Sequence, residues 1–151
     1  MKRSVRLEVV LRLYQQKEDQ LSVSVQSAQA DRDAQQAKLD QLVDYQRSYQ
    51  ESAQGGNDSK SMSIAQWRRL QDYIDQLTLI IGQQRQQVGL SEAELERVEA
   101  RWRSAHLERR SMESAIERIA MEEQRIADRR EQKQIDEMVQ QMRARRMQRK
   151  T

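Results

Sequence analysis

From Trp67 onward an apolar residue returns at alternating steps of three and four: Trp67, Leu70, Ile74, Leu77, Ile81, Gln84, Val88, Ser91, Leu95, Val98, Trp102, Ala105, Arg109, Met112, Ile116, Ile119, Glu123, Ile126. Only Gln84, Ser91, Arg109 and Glu123 break the series. A mean spacing near 3.5 residues lines one edge of an α-helix, whereas a strand repeats every two residues. Such a stripe is the seam of a coiled coil and needs a second helix to cover it. The chain has no proline, so no residue along the stripe lacks the amide that a helix ladder uses.

A second series supplies the candidate partner: Leu7, Leu11, Tyr14, Glu18, Leu21, Val25, Ala28, Arg32, Gln35, Leu39, Leu42, Gln46, Tyr49. Most of these are apolar and the polar exceptions cluster near the middle. Between the two series lies Gly55-Gly56-Asn57-Asp58. Glycine closes a helix C-terminus in the left-handed conformation, and Asn-Asp continues a loop. Ser63-Ile64-Ala65-Gln66 then has the spacing of a capping box. The expected fold is all-α, a single domain over residues 1–151 built as a long antiparallel two-helix coiled-coil hairpin. Helix 1 covers about 5–53, the turn 54–62, and helix 2 about 63–126 with an extension, broken or frayed, to about 145.

Pairing Tyr49 with Trp67 across the turn sets a register in which Leu42 meets Ile74, Leu39 meets Leu77 and Leu11 meets Ala105. Helix 1 is then exhausted opposite Arg109, and Met112, Ile116, Ile119 and Ile126 are expected to lack an intramolecular partner. At ~1.5 Å per residue helix 2 would reach roughly 90 Å by Ile126, making the molecule a rod. After Ile126 the segment DRREQKQ interrupts the stripe, which resumes out of phase at Ile135, Met138 and Met142. Arg68–Asp72, Glu99–Arg103 and Arg118–Glu122 have the spacing of helix ion pairs, and Gly82 and Gly89 mark a softer stretch off the seam.

The composition agrees with a seam rather than a packed globular core: 36% hydrophobic, 34% charged and 4% aromatic, with no Phe. Absence of cysteine excludes a disulfide scaffold or a cysteine zinc site and fits a reducing compartment. The start MKRSVRLEVVLRLYQQ is interrupted by Arg6, Glu8 and Arg12, so no signal peptide is expected, and no stretch is apolar enough to span a membrane. A soluble cytoplasmic protein is the expectation. Charge is segregated, with five Lys/Arg against three acids in 1–30, eight against twelve in 31–100, and fourteen against nine in 101–151. Both ends are basic, and an acidic protein surface is a plausible target for them.

Catalysis finds little support. His106, the one histidine, falls beside the seam and reads as an ordinary helix-surface residue, since a general base needs an oriented partner and a concave pocket. Glu122-Glu123 and Glu94/Glu96 read as solvated charges. Gly55-Gly56 lacks the Lys-Ser/Thr of a phosphate loop. No enzyme activity, cofactor or metal is expected. The tail RARRMQRK admits nucleic-acid binding, but it has no interleaved aromatics, and none is expected. Met112, Met121, Met138, Met142 and Met147 gather in the expected overhang, where adaptable contacts with a partner would use them. Of the paired tyrosines in LVDYQRSYQ, Tyr49 falls on the seam and Tyr45 beside it. Tyr45, Tyr73 and Ile80 occupy flanking positions that face each other across an antiparallel pair, as seam broadening or as a partner-binding stripe.

The order of LVDYQRSYQ, IAQWRRLQDYIDQLTLIIGQQRQQV, RWRSAHLERR and DRREQKQIDEMVQQMRAR resembles the flagellar FliJ family over nearly the whole length. That resemblance implies a cytoplasmic protein of the bacterial flagellar type III export apparatus, associated with it at the inner membrane and not inserted in the membrane. It implies a stalk-like coiled coil whose terminal end sits in the hexameric ring of the FliI-type export ATPase. It also implies binding to the linker of the export-gate protein FlhA and escort of chaperones of the FlgN and FliT type. The positions that match the family's FlhA-binding surface are Lys38, Leu42, Tyr45, Tyr49, Tyr73, Leu77, Ile80 and Gln84, with Lys38, Tyr73 and Gln84 departing from the family residues. For the ATPase ring, the expected contacts are Leu7, Leu11, Met112, Ile116, Ile119, Ile126, Arg143, Arg145 and Arg146. The competing readings are an injectisome stalk protein and a basic coiled-coil nucleic-acid binder.

Overall fold

The computed structural model describes residues 2–54 and 62–150. Two helices account for almost all of them, α1 (Arg3–Gln54) and α2 (Ile64–Lys150), and they pack against each other without strands among the described residues. The expected closure of helix 1 by Gly55-Gly56 and the Asn57-Asp58 loop lie outside the described residues. At the other side of that segment the capping box forms as its spacing requires. Gln66 N donates to Ser63 Oγ and Ser63 N donates to the Gln66 side-chain oxygen, both at 3.1 Å, and Trp67 N bonds Ser63 O at 3.0 Å. Two otherwise orphaned donors at the start of α2 are thereby satisfied. The slip in the stripe after Ile126 does not interrupt the helix, which continues to Lys150.

The helices contribute to two compact units, one of Asp19–Ser104 and one of Met1–Glu18 with Ala105–Thr151. In the first, Ile74, Leu77, Ile81, Val88, Ser91, Leu95 and Val98 are buried, every one a seam position of the series that begins at Trp67. Facing them, Leu21, Val25, Ala28, Leu39 and Leu42 are half-buried and their flanking neighbours are mostly exposed. In the second unit Ser4, Ala105 and Ile116 are buried, with Leu7, Leu11 and Tyr14 half-buried. Within each unit both stripes thus line the seam, and the seam positions Trp67 and Tyr49 of the first unit and Ile126 of the second are exposed.

The register differs from expectation. Tyr49 meets Tyr73, Gln46 donates to Ile74 O at 3.2 Å and to Thr78 Oγ1 at 2.6 Å, and Gln84 donates to Gln35 O and Oε1 at 2.9 Å. In the terminal unit Glu18 bonds His106 and Arg109, and Ser4 bonds Glu123. These partners lie three to eleven residues further along α2 than pairing Tyr49 with Trp67 would give, about one heptad on average. Apolar heptads match equally well after a shift of seven, so they cannot choose between the two. Polar seam residues can. The expected register would bury Glu18 against Val98 and Gln35 against Ile81, leaving polar groups unpaired.

This corrects the overhang. Met112, Ile116 and Ile119 are not unpartnered: Ile116 is buried and the other two are half-buried, whereas every residue from Gln124 to Lys150 is exposed. The ion pairs on the flanking faces also use other partners, including Asp44–Arg47, Glu94–Arg97 and, in place of Arg118, Arg125 with Glu122. Gly82 and Gly89 are helical, and a Cβ built on either meets nothing within 4 Å. The variant Gly82→Ala/Gly89→Ala should therefore gain helix propensity without steric cost, about 1 kcal/mol per site. Urea unfolding followed by circular dichroism checks this, a higher midpoint at unchanged slope being the expected result.

Candidate functional site

The FlhA-linker positions fall within the Asp19–Ser104 unit and divide into two sets. Leu77 is buried, and Leu42 and Gln84 are half-buried in the seam, where Gln84 is held by Gln35. Lys38, Tyr45, Tyr49, Tyr73 and Ile80 are exposed. Tyr49 and Tyr73 bring their rings to a centroid distance of 4.9 Å at 72°, an edge-to-face contact between the helices. The Tyr73 phenol beside it, by charge repulsion and hydrogen bonding, raises the pKa of Tyr49, with burial and Tyr45 adding to the effect. Tyr45 lies one turn from Tyr49 and its hydroxyl accepts from Gln41 Nε2 at 3.2 Å. About half the surface of Tyr45, Tyr73 and Ile80 remains open. The two tyrosines of helix 1 therefore share an exposed aromatic patch, and Tyr49 is a surface residue rather than a closed seam member.

The ATPase-ring positions lie in the terminal unit. Leu7, Leu11, Met112 and Ile119 are half-buried and Ile116 is buried, so the interhelix seam uses them. Ile126, Arg143, Arg145 and Arg146 are exposed on the single-helix part of α2.

Two polar constellations went unrecognised in the sequence. In the first, His106 Nδ1 lies 2.9 Å from Glu18 Oε1, Arg109 Nε donates to Glu18 Oε2, and Arg109 Nη1 donates to Glu113 Oε2 at 2.5 Å. Because a carboxylate only accepts, His106 Nδ1 carries the hydrogen. His106 is thus a member of a seam cluster, not an ordinary surface histidine, and Lys17–Glu108 flanks the cluster at 3.8 Å. Burial raises the Glu18 pKa, but the hydrogen bonds from His106 and Arg109, with the Arg109 and His106 charges, outweigh it and hold the carboxyl below its ordinary value. Both Glu18 oxygens are engaged, and the group links the helices.

In the second, Ser4 N and Ser4 Oγ donate to the two Glu123 carboxylate oxygens at 3.1 and 2.6 Å. Glu123 is therefore no solvated charge. It caps the N-terminus of α1 from the opposite helix, where a carboxylate answers both the free amides and the helix dipole. The Ser4 hydroxyl and amide bonds lower its pKa, aided by Lys2 and the Arg3 amide against a small opposing effect of burial. The signal for both sites was present as the polar breaks in the stripes, Glu18, Arg109 and Glu123.

These two depressed carboxyls fix a pH dependence. As pH falls the unfolded chain protonates first, so the stabilisation they give is complete above the ordinary carboxyl value of 4.5 and is lost as pH drops through the lower folded values. Acid titration monitored by hydrogen exchange should show the terminal unit opening in that window, and Glu18→Gln/Glu123→Gln should flatten the dependence.

Among the described residues no group of three His, Asp or Glu is placed to hold a metal ion, and no helix is long and apolar enough to cross a membrane. Comparison with curated proteins and with solved structures gives no significant match. Comparison with protein-family models gives a match to "FliJ: Flagellar FliJ protein" over residues 1–148. The chain belongs to the flagellar FliJ family and is a component associated with flagellar type III protein export.

Proposed function

We propose that the chain is a non-catalytic stalk of the flagellar export apparatus, working at the cytoplasmic face of the inner membrane. Its terminal unit engages the ring of a FliI-type export ATPase, and its Asp19–Ser104 unit engages the linker of an FlhA-type export gate. The observation that carries the first contact is the part of α2 from Gln124 to Lys150, which is exposed at every residue and ends in Arg143, Arg145 and Arg146 with no acid after Glu137. A basic helix of this kind seeks an acidic protein surface. Supporting the second contact is the aromatic patch of Tyr45, Tyr49, Tyr73 and Ile80, of the composition that recurs at binding hot spots. Escort of FlgN- or FliT-type chaperones completes the same reading.

The experiment is ATPase stimulation of the cognate export ATPase by the full chain and by a chain cut after Ile126. That cut spares Ile116, Glu123 and the α1 contacts. Full stimulation by the shortened chain would remove the overhang from the ATPase contact.

A further inference from the structure

The single-helix part of α2 carries a stripe in which Ile135, Met138, Val139 and Met142 are 47%, 62%, 41% and 58% exposed. Their spacing of three, four and seven puts them on one face. Followed toward the N-terminus, that face continues with Glu131 and Asp128. Followed toward the C-terminus, it continues with Arg146 and Arg149. The steps are the same in both directions from the midpoint between Met138 and Val139. Ile135 mirrors Met142, Glu131 mirrors Arg146, and Asp128 mirrors Arg149. Asp128 accepts from Gln124 at 3.0 Å along its own helix through one oxygen, which leaves the second for another donor. Of the other charges of the segment, Arg130, Lys133 and Glu137 fall on other faces at 100° per residue, and Arg145 and Lys150 flank this one.

A face that reads acid, apolar, base with mirrored spacing is its own complement about a two-fold axis. Laid antiparallel on itself, it sets apolar against apolar and closes each end with two opposite-charge pairs. Laid parallel, it sets Asp128 against Asp128 and Arg149 against Arg149. We propose that this face is an antiparallel self-association site whose occupant is the same segment of a second copy of this chain. The inference goes beyond the stalk reading and does not depend on it. The area offered by four apolar residues per copy is that of a weak, concentration-dependent contact, and the exposed ion pairs chiefly fix orientation. Arg146 belongs both to this face and to the proposed ATPase contact, so self-association and ring binding compete for it.

Sedimentation equilibrium on the full chain, over a roughly hundredfold concentration range reaching about 1 mM at low salt, tests it. The unaltered chain should dimerise. Asp128→Arg/Glu131→Arg and Arg146→Glu/Arg149→Glu should each stay monomeric with unchanged helicity, and an equal mixture should recover the dimer. The chain has no cysteine, so a single introduced thiol can carry a spin label. In the antiparallel dimer, labels at Arg130→Cys should lie about 25 Å apart along the axis and at Gln140→Cys about 5 Å. A monomer throughout, dimers indifferent to both charge reversals, or equal separations at the two labels would overturn the proposal.

Discussion

An Arg109→Ala chain is expected to lose roughly 2–3 kcal/mol of stability, far more than any surface substitution in α2. The side chains of Glu18 and Arg109 are 14% and 20% exposed, so removing the guanidinium leaves a carboxylate in the seam without its cation. A fully buried charge stripped of its partner costs about 3–5 kcal/mol, and His106 and residual solvent access reduce that here. Urea unfolding reads the loss directly, and a change under about 0.5 kcal/mol would show the cluster to be superficial. Replacing both partners, Glu18→Leu/Arg109→Leu, should restore most of the stability, because two aliphatic residues suit the seam. It should also weaken the choice of register. Spin labels at Lys17→Cys and Glu108→Cys, on exposed sites of the two helices, would then report a second distance population. A slide of one heptad displaces one helix by about 10 Å along the other.

That expectation also shows what the sequence carried and what was left unread. Burial in α2 follows the heptad series from Ile74 to Ile119 almost residue for residue, and Ser63-Ile64-Ala65-Gln66 forms the cap its spacing implies. Periodicity is a local property and survives in one dimension. Register is not local. A stripe of Leu, Ile and Val repeats every seven residues, so its fit recurs at each heptad, and pairing Tyr49 with Trp67 was one of several equivalent choices. What separates them is the matching of polar breaks: Gln35 with Gln84, Glu18 with Arg109, Ser4 with Glu123. Reading those residues as defects, instead of as complementary pairs, displaced the partners of Leu11 and Leu42 and made Ile116 look unpaired. At the aromatic patch, spacing placed Tyr45 beside Tyr73 and Ile80, but the same displacement hid the contact between Tyr49 and Tyr73.

The second large effect is expected at that patch. Tyr45→Ala/Tyr73→Ala should weaken binding to the cognate FlhA linker by about a thousandfold, taking ~2 kcal/mol for each exposed aromatic anchor. Helicity should persist, since Tyr45 lies off the seam and the ring contact between Tyr49 and Tyr73 is worth only about 0.5–1.5 kcal/mol. Tyr73→Phe keeps that ring contact and should bind nearly as the unaltered chain does. Calorimetric titration with the linker peptide measures all three. Helicity falling in step with affinity would reassign the patch to packing.

Separate partners for separate surfaces is the claim on which the functional account rests. Its most direct test is quantitative capture of the export ATPase and of the FlhA linker by three chains: unaltered, cut after Ile126, and Tyr45→Ala/Tyr73→Ala. The account predicts a double dissociation, with the cut chain losing the ATPase alone and the tyrosine variant losing the linker alone. Both partners lost together in either variant, or both retained in both, would contradict it.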